Sequence, residues 1–486
     1  QALKNRAAAR YELKEYPGVV ADAAIVAARG EATPLEFGML GVSRYQTKDF
    51  TGAVPDLGKA IDGGSKDADV FVARGASLFE LKEYQKAIPD FTKAFELGKN
   101  DAELYYKRGA SKFYLKDYSG ALPDLEKATL TGFTEAIAYD LRGYCKYEAK
   151  RFEEASNDYS EAIAKDPKFA LAFFHRGDSK FSLNNLAGAI EDYSQAITLG
   201  WKDPVLFNNR GKAYFMQDNY AAALPDFTSA ISKNADYAKA YENRGMTYFK
   251  TEKFDEAAKD FRMVEKLTEK PDPSLYQFLG ESYYNAKKFA PALEYFDKLV
   301  AAGVKDKNIF YKRAMMLVDN EDFKAAIGDF DAAQKAGENT VGLYLNLAKA
   351  YLSIEDVKSA IGALNKAIDV DPKNTSAYFN RALLREEAED WETAITDYNK
   401  VIQLNPEDAL AYYNRASCKA AKEDYGAGVS DMDEAIRLEP KNASFYKQRG
   451  NFYYQMTEKE KACFDWRKAV EFGDAKARIQ LDNYCK

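Results

Sequence analysis

The chain has 486 residues, a formal net charge of −7, 46% hydrophobic and 30% charged residues. That balance belongs to folded chains and excludes a disordered one, and a net negative chain without a basic stripe argues against nucleic acid as partner. No stretch approaches 18 consecutive apolar residues, so no transmembrane segment is expected. With one histidine, His175, and four cysteines, Cys145, Cys418, Cys463 and Cys485, the chain is also poorly equipped for a metal site or another cofactor.

Read from the N-terminus, a small residue preceded by Arg or Leu recurs at Ala7, Gly41, Gly75, Gly109, Gly143, Gly177, Gly211 and Gly245, each 34 residues after the last. One interval of 35 then leads to Gly280, and the 34-residue step resumes through Ala314, Ala348, Ala382, Ala416 and Gly450. Fourteen copies at a fixed period mean stacked supersecondary units. Each unit reads as two helices. In the eighth, Tyr241, Gly245 and Tyr248 share one face of a first helix, and Phe254, Ala257, Phe261 and Val264 one face of a second. The intervening Lys-Thr-Glu-Lys is a polar turn short enough to fold the two antiparallel. Eight units end the second helix with a glycine at one stop position, among them Gly30, Gly200 and Gly473. Four others place a proline one residue later, at Pro167, Pro372, Pro406 and Pro440. Glycine suits the left-handed residue past a helix end, and proline cannot continue a helix.

This spacing resembles the tetratricopeptide repeat, and the resemblance runs the length of the chain. Thirteen units also carry an aromatic residue four before the small one, Leu3 being the exception. The resemblance implies an all-α fold: a right-handed α-solenoid superhelix of about fourteen helix-turn-helix units with a concave groove lined by first helices. The 35-residue interval contains Pro271 and Pro273, and a change of pitch is expected there. We therefore divide the chain into residues 1–268 (eight repeats), 269–473 (six repeats) and 474–486, a capping helix.

Eleven units have Arg just before the small residue, and all eleven have Asp fifteen residues after it. The ninth and eleventh units lack both, with Leu279 and Tyr295 in one and Leu347 and Ala363 in the other; the second breaks the rule with Leu40 beside Asp56. This co-occurrence predicts an ion pair joining the two helices of a unit.

The binding surface is expected on first-helix positions three before, one after and four after the small residue, which share a stripe. Four after, the first nine units are all aromatic, including Phe113, Tyr147, Phe181, Phe215, Phe249 and Tyr284. Three before, the middle units place Tyr106, Asp140, Phe174, Asn208, Glu242 and Gln277. One after stand Asp178 and Lys212. Aromatic anchors with a few polar groups suit a protein or peptide partner, although aromatics at helical spacing equally serve packing between repeats. A clamp for a C-terminal carboxylate is not expected: Lys447 and Asn451 match its offsets in the last unit, but no further repeat follows.

After Gly473 the chain reads as a final helix folded back on the one before it. That hairpin brings Cys463 and Cys485 near enough for a disulfide, whose Cα atoms must lie within about 7 Å. This ending also resembles that of tetratricopeptide proteins of the Bacteroidota, and Gln1 resembles a residue left by signal cleavage. Together they imply an extracytoplasmic protein, periplasmic or envelope-associated, with the cytoplasm as the alternative. No phosphate-binding glycine loop, no nucleophile–base pair and no small-molecule substrate site is legible, so an enzyme is not expected. The expected function is a scaffold or adaptor holding a partner in the groove, in envelope assembly or secretion. The alternative is a structural subunit contacting its neighbours by the convex face or ends.

Overall fold

The computed structural model describes residues 1–485. Among them are 29 α-helices, from Ala2–Glu12 to Ala477–Tyr484, and they pair in sequence as fourteen hairpins followed by one terminal helix. The chain divides into two compact units, Gln1–Pro271 and a second from Asp272 onward. The first holds eight hairpins; the second holds six and the terminal helix.

The sixth repeat shows how local sequence sets the hairpin. Its first helix, Ala170–Ser182, ends at Leu183, and Asn184 turns the chain with a φ of +60°. Asn185 then caps the second helix, Leu186–Thr198, its side-chain oxygen accepting from the Gly188 N–H. At the far end Gly200 takes a φ of +94°, its N–H donating to the Ile197 carbonyl at 2.9 Å, while the Trp201 N–H reaches Ala196 at 3.0 Å. These two bonds are the paired closure that a left-handed C′ glycine permits. Between the helices, Gly177 meets Tyr193 so closely that a Cβ there would lie 2.6 Å from the ring. The small residue of the repeat is thus a contact requirement, not a turn.

In the N-terminal unit, first helices of every successive pair of repeats also touch, as Pro34–Gln46 does Ala68–Glu80, and second helices make no comparable contact. The first-helix layer is therefore the tighter, inner one.

The Arg–Asp pairs form in all eleven repeats that carry both residues. Each guanidinium grips its carboxylate with two bonds of 2.5 to 2.9 Å, Nε to one oxygen and Nη2 to the other. The aspartate side chains are 1–7% exposed. A second contact was not foreseen. Nη1 of the same arginine reaches back to the preceding repeat's second helix, Arg176 to Ser160 at 3.1 Å, Arg210 to Ser194 at 3.0 Å and Arg381 to Asn365 at 2.6 Å. One side chain therefore joins three helices.

The exceptions are filled by other means. Asp56 of the second repeat accepts one bond of 2.6 Å from Arg44, a turn further along the first helix. With that single contact, burial pushes the Asp56 carboxyl above its ordinary pKa. The ninth repeat stacks Tyr283 on Tyr295 at 5.9 Å, and the eleventh buries Leu347 against an alanine-sized neighbour, Ala363. Removing one member of a buried pair leaves the other charge uncompensated. Replacing Asp192 by Ala is expected to destabilise the sixth repeat by about 3–5 kcal/mol. Hydrogen exchange across residues 170–198 reads this loss, and a comparable Ala363→Gly change in the eleventh repeat, where no charge is stranded, should cost far less.

Candidate binding surface on the first-helix layer

The aromatic residues four after the small one pack inside their own repeats. Phe113 meets Tyr118 at 5.3 Å, Tyr147 meets Phe152 at 5.2 Å and Phe215 meets Tyr220 at 5.4 Å, each partner being the first residue of the second helix. Phe249 meets Phe254 at 5.5 Å in the same way, as does Tyr284 with Phe289 at 5.8 Å. In the sixth repeat the second helix begins with Leu186 instead, and Phe181 lies under the Lys212 ammonium at 5.1 Å. All six rings remain half-buried, so one face holds the hairpin closed while part of the ring stays accessible.

The aromatics three before the small residue close the loop between repeats. Tyr106 stacks on Phe133 at 4.2 Å, and Phe174 on Trp201 at 6.4 Å. Phe133 and Trp201 each follow a stop glycine, Gly132 and Gly200. The stop thus presents an aromatic ring to the next turn of the inner layer.

The polar residues form a ladder between repeats. His175 Nδ1 donates to buried Asp140 at 2.9 Å. Asn209 Nδ2 donates to Asp178 at 3.0 Å, and the Tyr193 hydroxyl donates to the same oxygen at 2.7 Å. Asn243 Nδ2 donates to buried Asn208 at 2.8 Å. In each case a residue two before the small one reaches back to the preceding repeat. Sequence reasoning omitted that position, although an Asn or His there in three consecutive repeats, beside Asp or Asn one repeat earlier, was a legible signal. Glu242 pairs with Lys239 at 2.8 Å on its own helix. Lys212 is exposed and Met216, four residues on, is 48% exposed. In the C-terminal unit Gln277 donates to Glu281 at 3.3 Å.

Cys463 and Cys485 are joined by a disulfide with Cα atoms 5.7 Å apart. It ties Lys459–Glu471 to the terminal helix Ala477–Tyr484, where Tyr484 packs on Tyr454 at 4.6 Å. Cys145 and Cys418 are buried free thiols, and burial pushes both up to about 12. Neither is poised as a nucleophile, since the thiolate is the reactive form. Lys447 is occupied by Asp474 at 3.3 Å, and Asn451 accepts from the Trp466 indole at 3.0 Å.

Helical hairpins recurring at a fixed period define a helical-repeat protein. The TPR repeat matches residues 177–218 and 387–418, and two further forms of the tetratricopeptide repeat match 208–273, 278–340, 341–374 and 409–442. The chain is a tetratricopeptide-repeat protein. No curated protein matches it. Among solved structures, it is similar to a tetratricopeptide repeat protein from Parabacteroides merdae, with 19% identity over 52% of this chain and 98% of that one and a TM-score of 0.35. It is also similar to MamA from Desulfovibrio magneticus, with 16% identity, 35% and 97% coverage and a TM-score of 0.33. YrrB, titled a TPR protein with an unusual peptide-binding site, shows 20% identity, 44% and 92% coverage and a TM-score of 0.27.

Burial holds the Asp178 carboxyl above its ordinary pKa, against the opposing pull of Tyr193, Asn209 and His175. A carboxyl so shifted favours the folded chain below the unfolded value, near 3.8, and that contribution is lost as pH rises through the folded value. Both hydrogen bonds fall on one oxygen, which an amide retains. Asp178→Asn is therefore expected to raise stability at neutral pH, and urea midpoints of the two proteins should converge as pH falls toward the unfolded carboxyl's value.

Proposed function

We propose that this chain is an adaptor that holds a protein or peptide partner on the first-helix layer of its N-terminal unit. The observation that carries this reading is the ladder from Asp140 to Asn243. Its polar groups are fixed by neighbouring repeats, while Lys212 and Met216 face outward from the same layer. A surface whose groups are already ordered loses little side-chain entropy on binding. The accessible rings of Tyr147, Phe181 and Phe215 supply apolar anchors beside a cation, the mixture that protein interfaces favour. The adaptor binds rather than catalyses: its buried thiols are held in the protonated form, and the buried aspartates of the Arg–Asp pairs hold its hairpins together.

The test compares the wild type with Lys212→Glu/Met216→Asp, both at exposed positions, and with Glu191→Lys on the exposed side of a second helix. The inner-layer variant should lose partner capture by about tenfold or more, as hot-spot truncations do, while Glu191→Lys keeps it. The converse pattern would move the site to the outer face.

We also propose an extracytoplasmic location, in keeping with an envelope assembly or secretion role. The Cys463–Cys485 disulfide supports it, because such bonds persist in oxidising compartments. Alkylation of intact cells followed by denaturation should leave Cys463 and Cys485 blocked and label only Cys145 and Cys418. Four labelled cysteines would place the chain in a reducing compartment.

A further inference from the structure

In all fourteen repeats the residue at the turn between first and second helix lies in the left-handed region, with φ between 56° and 67°, and none is glycine. That conformation costs an ordinary residue about 1–2 kcal/mol, and Gly or Asn adopts it with least strain. Asn appears once, at Asn184, whereas twelve of the fourteen positions are charged. Backbone preference does not select these residues.

Their signs fall into two blocks, separated by Asn184, Asp218, Glu252 and Lys287. The first five turns carry Lys14, Lys48, Lys82, Lys116 and Lys150; the tenth to thirteenth carry Glu321, Glu355, Glu389 and Glu423. All nine are exposed, and none has an ion-pair partner among the described residues. Of the acids that follow these lysines, Glu15 lies 3.8 Å from Arg10 and Glu83 2.6 Å from Lys86, while Asp49 and Asp117 cap their helices. Lys14, Lys82 and Lys150 therefore stand as uncompensated charge on that edge. Behind the glutamates stand Asp322, Asp356, Asp390 and Asp424, which cap their helices and add negative charge.

A row of like charges alone is a solvated edge that repels itself. The second row changes that reading, because the same chain carries the opposite charge at the same turn of the repeat. We propose that the lysine row of one copy of this chain docks along the glutamate row of a second copy. Docking of one row leaves the other row of each copy open, so the contact can repeat from copy to copy. Exposed pairs contribute about 0–1 kcal/mol each, so the contact is additive, reversible and strongly screened by salt.

Analytical ultracentrifugation of the full chain tests this at about 20 mM and about 300 mM salt, where the screening length differs several-fold. The wild type is expected to associate at the lower salt, with affinity at least about tenfold weaker at the higher. The variants are Glu321→Lys/Glu355→Lys/Glu389→Lys/Glu423→Lys and Lys14→Glu/Lys48→Glu/Lys82→Glu/Lys116→Glu/Lys150→Glu. Each should stay monomeric alone, and an equimolar mixture should associate again. Circular dichroism checks that both remain helical, and recovery in the mixture excludes misfolding as the cause of the loss. The proposal is overturned if the wild type is monomeric at low salt, if either variant associates as the wild type does, or if the mixture does not. It is equally overturned if oligolysine binds the wild type while the chain itself stays monomeric, which would assign the acidic row to a basic partner.

Discussion

The interaction on which most of this molecule depends is one guanidinium clip, present in eleven of its fourteen repeats. Arginine presents a planar fork that can bond a carboxylate through two nitrogens and still offer a third. Here the fork closes the hairpin onto a buried aspartate, and the third nitrogen holds the previous repeat. Such a clip serves packing within a repeat and stacking between repeats with the same side chain. Lysine could not do both, and where Lys180 joins the same aspartate it adds one bond of 2.8 Å from the far side. A solenoid gains stability from each repeat and each interface between neighbours, and this arginine acts on both terms in the repeats that carry it.

The inner layer applies the same economy to its aromatic and polar groups. Aromatic rings that sequence reasoning assigned to a partner are half committed to closing their own hairpins, as Tyr147 is to Phe152. The acids and amides of the middle repeats are tied to the next repeat, as Asp140 is to His175. What remains is a stiff face with few side chains left to order. A face ordered in this way would lose little side-chain entropy if it were covered.

The terminal helix follows another logic. Its eight residues bury little beyond Ala477, and a helix that short is marginal in isolation. The disulfide to Cys463 and the ring contact of Tyr484 with Tyr454 hold it on the last repeat. A covalent bond and a ring contact thus hold this helix where buried apolar area does not.

The sequence by itself determined the fold class, the number of repeats, the stop glycines and the Arg–Asp partnership. Each is a covalent spacing or a backbone requirement that appears fourteen, eight or eleven times in register. It also held, unread, the ring pairs within hairpins, since Tyr118, Phe152 and Tyr220 recur five residues after the stripe. Only the tertiary structure decided which neighbour each inner polar group serves. Asp178 could face solvent, a ligand or the next repeat, and the choice of Asn209 depends on how far one hairpin is rotated against the next. That rotation is set by the sum of packing contacts between helices, which no fixed offset along the chain encodes.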